Sequence, residues 1–116
     1  MGKLTTHVLD TAHGCPGKGI ALRLYRCGKK ETLLVKAKTN ADGRCDAPLL
    51  AGKDLKAGKY RLEFDVAAYF KSKSVKLAKT PFLDVIVINF GIADAEAHYH
   101  VPLLVSPYGY STYRGS

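Results

Sequence analysis

The sequence predicts an all-β fold, an antiparallel β-sandwich of seven to eight short strands with one short helix. Apolar and polar residues alternate over several stretches, most regularly over residues 60–66, and this period of two is typical of half-buried strands. Turns rich in glycine, proline and asparagine separate the stretches at regular spacing, as they do in sandwich domains. Only residues 67–76 indicate a helix. The 116 residues suit a single domain over 1–116 with one core.

The individual strands follow from the alternation. They are predicted at Leu4–Asp10, 20–25, 33–38, 60–66, 83–90, 99–105 and 110–114. Residues 83–90 are apolar on both faces, which predicts a central strand or a strand covered by a partner. Asn40–Gly43 is predicted to be a tight turn, since its Asp-Gly pair suits positive φ. Sandwiches have edge strands that must be covered, so we also expect an oligomer.

Composition and charge limit the possible partners. Apolar residues make up 47% of the chain and charged residues 24%, as in an ordinary globular domain. No apolar run approaches the roughly 20 residues that span a bilayer, so we expect no membrane partner. The formal charge is +8, but the lysines are scattered and no aromatic residues interleave with a basic block. We therefore expect a basic surface that attracts small anions and does not bind nucleic acid.

The cysteines indicate a reducing environment. Cys15, Cys27 and Cys45 are odd in number and form no CxxC pair. A disulfide framework or a structural zinc site would need paired cysteines. We therefore expect free thiols. Because the N-terminus also lacks an apolar leader, we expect a cytoplasmic location.

The side chains best suited to catalysis or ligand binding are those of the histidines and one arginine. His7 lies in the first predicted strand, and His98 and His100 are two residues apart, so they share one face of a strand. Each is either a hydrogen-bonded structural histidine or a group that moves protons near neutral pH. A zinc ion shared by His98 and His100 would need a third ligand, which no diagnostic spacing supplies. Arg44 is either a surface residue or a fixed guanidinium that binds an anion or lowers a neighbouring histidine's pKa.

The C-terminus is unusual for a chain end. Residues 108–116 include three tyrosines and have a strand-like pattern almost to the last residue, whereas chain ends are usually frayed and polar. This predicts a tail docked onto the domain or onto a partner. The residues alone therefore indicate a basic, oligomer-forming β-sandwich with a histidine–arginine site.

Several motifs resemble those of the 5-hydroxyisourate hydrolases in the transthyretin-like family. They are Leu4–Asp10, Asp42-Gly43-Arg44, His98–Leu104 and the terminal Tyr113-Arg114-Gly115-Ser116. The resemblance covers essentially the whole chain, and the tail is its most specific part. It implies a transthyretin-like Greek-key sandwich. It also implies a homotetramer, a dimer of dimers, with active sites in the channel between the dimers.

The resemblance further implies a hydrolase of purine breakdown. Such an enzyme opens the cyclic amide of 5-hydroxyisourate, the product of urate oxidation, to give 2-oxo-4-hydroxy-4-carboxy-5-ureidoimidazoline. The implied catalytic residues are His7, Arg44 and His100, and the implied substrate-binding residues are Tyr113, Ser116 and His98. No metal or organic cofactor is required. The alternative is a non-catalytic transthyretin-like protein that binds a small ligand of the thyroid-hormone type, but such carriers lack this combination of residues.

Overall fold

The computed structural model describes residues 1–115, whose strands lie in two sheets packed against each other. In this part of the chain the elements are β1 (Lys3–Asp10), β2 (Cys15–Pro16), β3 (Ala21–Cys27), β4 (Glu31–Lys38), β5 (Leu50–Ala51), β6 (Gly58–Asp65), α1 (Val66–Ser72), β7 (Val85–Ile92), β8 (His98–Ser106) and β9 (Gly109–Thr112). A 3-10 turn at Gly52–Asp54 follows β5. The predicted all-β sandwich with one short helix is confirmed.

Each sheet has its own strand order, and the first sheet contains one parallel pair of strands. The first sheet has the order β2-β1-β8-β9, and β5 also pairs with β1; the second has the order β4-β3-β6-β7. β1 and β8 run parallel, whereas the other strand pairs within residues 1–115 are antiparallel. The expectation of a purely antiparallel sandwich is therefore wrong for this pair. The two strands are far apart in the chain, so no local turn sets their relative direction.

The core lies between the sheets and is built by the alternation. On β6, Tyr60, Leu62 and Phe64 are fully buried, as the pattern predicts. On β1, Leu4 and Val8 face the core. Because side chains alternate across a strand, the intervening β1 residues face the outer surface of the first sheet. The same alternation that builds the core thus places polar side chains together on the other face.

Three predicted elements differ in detail from the structure. β7 is an edge strand, so of the two alternatives predicted for residues 83–90 the central strand is wrong, and cover by a partner stays a prediction. Its inner residues are buried, but Val85 and Val87 are each 41% exposed, and their apolar character is not explained by a second neighbouring strand. The helix is shorter than predicted and ends at Ser72, shortly before Ser74 adopts a φ of 61°. The last strand ends at Thr112, before the predicted Arg114.

The predicted turn at Asn40–Gly43 is present and ties the chain to β1. Gly43 donates its N–H to the carbonyl of Asn40 at 2.9 Å, and Val8 donates to the carbonyl of Gly43 at 2.8 Å. The φ of Gly43 is 77°, in the left-handed region that favours glycine. A Cβ added there would lie 2.3 Å from the Val8 carbonyl oxygen. Glycine is therefore required at this position for two separate reasons.

Substituting this glycine tests the close approach separately from the dihedral angle. Gly43→Ala should destabilise the fold more than Gly14→Ala by at least about 1 kcal/mol, because β1 must shift to admit the methyl group. Gly14 is a matched control, since its φ is 65° but nothing lies within 4 Å of an added Cβ. Urea unfolding of both variants measures the difference. Equal losses of stability would show that the contact with Val8 carries no cost.

Candidate active site

A cleft of about 690 Å³ opens on the outer surface of the first sheet. It is lined by Lys3, Thr5, Thr6, His7, Arg44, Cys45, Asp46, Ala47, Pro48, His100, Tyr113 and Gly115. These residues come from three separate parts of the chain: strand β1, the segment after the Asn40–Gly43 turn, and β8 with the C-terminal tail. The three predicted catalytic residues and Tyr113 therefore share one cavity.

Arg44 is held beside His7 by backbone contacts. The two residues form an isolated antiparallel bridge, which places the segment after the turn alongside β1. Asn40 clamps this segment: its backbone N–H donates to the carbonyl of Arg44 at 2.7 Å, and its Oδ1 accepts from the N–H of Arg44 at 3.2 Å. The backbone of Arg44 is therefore held in place, and its flexible side chain extends from this fixed point into the cleft.

The two histidines are brought together by the parallel pairing of β1 with β8. Thr5 is the register partner of His100, and His7 lies two residues further along the same strand face. The ring centroids of His7 and His100 are 6.5 Å apart, with 35° between the planes. His100 Nδ1 lies 2.8 Å from the hydroxyl oxygen of Thr5. One side of the cleft thus carries two imidazoles at a spacing that leaves room for a small molecule near both.

The C-terminal tail closes the other side of the cleft. Gly115 donates its N–H to the carbonyl of His100 at 2.7 Å and forms an isolated bridge with it. A Cβ on Gly115 would lie 2.7 Å from His100 Cδ2, so the backbone itself packs against the imidazole. Arg114 stacks over the Tyr99 ring at 4.1 Å and donates to the His98 carbonyl at 3.2 Å. The predicted docking of the tail is confirmed up to Gly115. The predicted site residue Ser116 lies outside the described residues.

The electrostatics of the cleft keep one histidine neutral. Burial lowers the pKa of His100, and the nearby positive charge of Arg44 and the His7 ring lower it further. At neutral pH His100 is therefore an uncharged imidazole with one N–H and one free lone pair. Lowering the pKa of a neighbouring histidine was one of the alternatives predicted for Arg44, and this effect falls on His100.

The other two histidines lie outside the cleft. His98 is exposed and lines a separate shallow depression with Tyr113, Arg114 and Gly115. No group of three potential metal-ligating side chains occurs in residues 1–115, so the structure supplies no third ligand there for His98 and His100. His98 shares only the tail with the cleft, and its role in substrate binding stays a prediction.

His13 has a structural contact. Its Nδ1 lies 2.6 Å from Oδ2 of the buried Asp10, which also accepts a hydrogen bond from the Tyr69 hydroxyl at 2.7 Å. Burial acts to raise the pKa of Asp10, but the hydrogen bonds from Tyr69 and His13 lower it overall. His13 therefore anchors the loop after β1, as expected for a hydrogen-bonded structural histidine.

Several residues that line the cleft were not predicted from the sequence. Lys3 and Thr5 precede His7 by four and two positions, so the period of two alone would have placed them on the same face. The segment Cys45–Pro48 carries no such signal, because only the bridge between His7 and Arg44 brings it to the cleft.

The three cysteines are free thiols, as predicted. Within residues 1–115, no helix has the length and apolar character to span a membrane.

Fold and site together define a class of protein: a small β-sandwich domain with a histidine–arginine cleft closed by its own C-terminal tail. The chain belongs to the HIUase/Transthyretin family, whose family model matches residues 4–115. The resemblance seen in the motifs is thereby confirmed.

Curated relatives and solved structures agree with this assignment. The chain is 56% identical to the 5-hydroxyisourate hydrolase of Pseudomonas aeruginosa, covering 100% of this chain and 93% of the relative. It is 44% identical to the 5-hydroxyisourate hydrolase of Mus musculus, covering 97% and 94%.

The structure of Klebsiella pneumoniae 5-hydroxyisourate hydrolase superposes with a TM-score of 0.82 at 36% identity, covering 100% of both chains. Sea bream transthyretin in complex with thyroxine superposes with a TM-score of 0.87 at 29% identity, covering 97% of this chain and 94% of that one. (S)-allantoin synthase superposes with a TM-score of 0.95 at 45% identity, covering 99% of this chain. The present chain spans only 44% of that longer protein.

The effect of Arg44 on His100 can be measured directly. Arg44→Gln should raise the pKa of His100 towards the ordinary histidine value, because it removes a positive charge that disfavours the imidazolium ion. Arg44→Lys is the matched control and should leave the pKa low. The rise should be partial, since burial persists in both variants. NMR titration of the His100 ring reports the value, and an unchanged pKa in Arg44→Gln would refute the contribution of Arg44.

Proposed function

We propose that this cleft hydrolyses 5-hydroxyisourate by opening its cyclic amide between N1 and C6. The product is 2-oxo-4-hydroxy-4-carboxy-5-ureidoimidazoline, and the reaction belongs to urate degradation. One observation carries the proposal: His7, Arg44, His100 and the C-terminal tail meet in one cavity. The chain in which they meet is 56% identical to a 5-hydroxyisourate hydrolase over its whole length. The protein is an enzyme of this type.

Amide hydrolysis makes three demands on the site. It needs an activated water, a stabilised oxyanion at the attacked carbonyl and a proton for the leaving nitrogen. We assign water activation to His7 with Arg44, which the bridge between them holds side by side. The imidazole accepts a proton from the attacking water, and that proton can then pass to the leaving nitrogen. His100, neutral and on the same side of the cleft, either orients the substrate or assists the leaving group.

Charge and shape select the substrate in this mechanism. Arg44 and Lys3 provide positive charge at the cleft, which suits an anionic substrate or the developing oxyanion. Tyr113 lines the cleft and is assigned contact with the planar purine-derived ring. His98 and Ser116 are assigned supporting contacts at the tail. These steps use side chains alone, and none requires a metal or organic cofactor.

The proposed assembly is a homotetramer, a dimer of dimers. Three observations support contacts with further copies. β7 and β9 are edge strands, and the outward Val85 and Val87 are apolar. Phe82 and Tyr108 contact each other with ring centroids 6.1 Å apart and are 74% and 73% exposed, which is unusual for large aromatic residues. The cleft would then lie on the face between dimers. We also propose a cytoplasmic location, with which three free thiols are compatible.

Light scattering coupled to gel filtration tests this assembly. A tetramer should elute with four times the 12.6 kDa chain mass. Val87→Lys should reduce that mass, because it places a charge on the exposed face of the β7 edge strand. A monomer at micromolar concentration in the wild-type protein would contradict the assembly without affecting the site.

Substitutions in the cleft test the catalytic assignment. His7→Ala, Arg44→Ala and His100→Ala should each lower turnover by about a hundredfold or more, as expected when a positioned acid–base or charge-stabilising group is lost. Freshly generated 5-hydroxyisourate, made with urate oxidase, is followed by its ultraviolet decay with and without each protein. His13→Ala is the matched control, because His13 lies outside the cleft.

The same preparations distinguish catalysis from carriage of a ligand. A protein of the hormone-carrier type would leave the decay unchanged and displace fluorescent thyroxine analogues. Near wild-type turnover in all three cleft variants would refute the proposed catalytic roles of these residues. Circular dichroism of each variant confirms that loss of activity is not loss of the fold.

A further inference from the structure

The contact between Thr5 and His100 bears on a question that the family assignment leaves open, namely which role each histidine of the cleft plays. The mechanism needs two histidines in different roles, yet both lie at the cleft and both can exchange protons. Their surroundings differ: His100 Nδ1 has a hydroxyl partner at 2.8 Å in Thr5. The contact is set by strand register, because eight consecutive residues of β1 pair with β8 and Thr5 stands opposite His100. It therefore belongs to the fold and does not depend on a mobile loop.

A hydrogen bond at one ring nitrogen determines what the other nitrogen can do. A neutral imidazole carries its proton on either Nδ1 or Nε2, and the partner of one nitrogen selects the form. If Thr5 donates its hydroxyl hydrogen to Nδ1, the ring proton lies on Nε2. In residues 1–115 the only partner found for the Thr5 hydroxyl is this nitrogen. Donation to Nδ1 satisfies both the hydroxyl hydrogen and the nitrogen lone pair.

The remaining contacts of His100 hold the ring in one orientation. The backbone of Gly115 packs against the Cδ2 edge, where even a methyl group would approach to 2.7 Å. A half-turn of the ring would exchange Nδ1 and Cδ2, and the Thr5 hydroxyl would then face carbon and lose its hydrogen bond. With Nδ1 bonded and the Cδ2 edge packed, Nε2 is the ring nitrogen left for a ligand in the cleft.

We propose that Thr5 is a positioning residue that holds neutral His100 in the form protonated on Nε2, so that His100 donates a hydrogen bond to the substrate carbonyl oxygen as it becomes an oxyanion. His7 is then the histidine that accepts a proton from water. The inference rests on the proposed function for its role in turnover, but the state of the ring does not depend on it. It assigns different chemistry to His7 and His100, whose roles the sequence alone does not distinguish.

The ring state can be observed in the absence of substrate. In uniformly ¹⁵N-labelled protein, His100 should show a protonated Nε2 and an unprotonated Nδ1 at neutral pH. Thr5→Ser should preserve this pattern, because it keeps the hydroxyl. Thr5→Val, nearly the same shape without the hydroxyl, should give a mixture of the two forms. A wild-type His100 protonated on Nδ1 would overturn the proposal, even if the protein hydrolyses 5-hydroxyisourate.

Turnover tests the consequence of the ring state. Thr5→Val should lower kcat by about 10- to 100-fold with a small change in KM, the range seen when the partner that orients a functional histidine is lost. Thr5→Ser should restore kcat to within about threefold of wild type. Thr11→Val is the matched control, since the Thr11 hydroxyl also bonds to β8, where it donates to the carbonyl of Val105, but lies outside the cleft.

Each outcome separates the positioning role from the proposed function. Equal losses in Thr5→Ser and Thr5→Val would show that a hydroxyl at this position is not sufficient to keep His100 functional, which overturns the proposal. Wild-type kcat in Thr5→Val would also overturn it. Absence of activity in the wild-type protein would instead refute the proposed function, and the ¹⁵N spectra would still decide the state of His100. If Thr5→Val does not fold, the wild-type and Thr5→Ser spectra give the same decision.

Discussion

The parallel pairing of β1 with β8 is the constraint on which the site depends. It runs through eight consecutive register pairs and places Thr5 opposite His100 although they are 95 residues apart in the chain. A slip of one residue would turn Lys3, Thr5 and His7 from the cleft into the core and bring buried residues of β1 out. The buried residues Leu4 and Val8 prevent that slip, because exposing them would forfeit their burial. The hydrophobic core therefore also sets the geometry of the cleft.

Two shorter segments complete the site by docking onto this pair. The turn that ends at Gly43 comes close enough to Val8 for only a glycine to fit, and it delivers Arg44 to the side of His7. The tail returns antiparallel to β8, where Gly115 lies against the His100 ring. At both positions the backbone approaches its neighbour more closely than a side chain would allow. The neutral state of His100 follows from this enclosure, since burial and the Arg44 charge both disfavour its protonation.

Sequence patterns predicted the parts of the fold that depend on local order. The alternation over 60–66 matches a strand whose inner residues are fully buried, and the Asp-Gly pair marks a real turn. For residues 83–90 the pattern left two alternatives open, because an apolar outer face indicates cover and cover can come from another strand or from another molecule. The structure makes β7 an edge strand, so it excludes the first alternative and leaves the second as a prediction.

The sequence by itself determined which side chains share a strand face, where the chain turns and, through the terminal Tyr-Arg-Gly-Ser motif, which family it resembles. These are local properties, because the period of a strand and the dihedral demands of a turn act over a few residues. Only the tertiary structure decided that Thr5 bonds to His100 and that Cys45–Pro48 lines the cleft. Only it showed that His98 lies outside the cleft while His100 lines it. These contacts depend on the parallel register of distant strands and on backbone approaches between segments, and no local pattern encodes either.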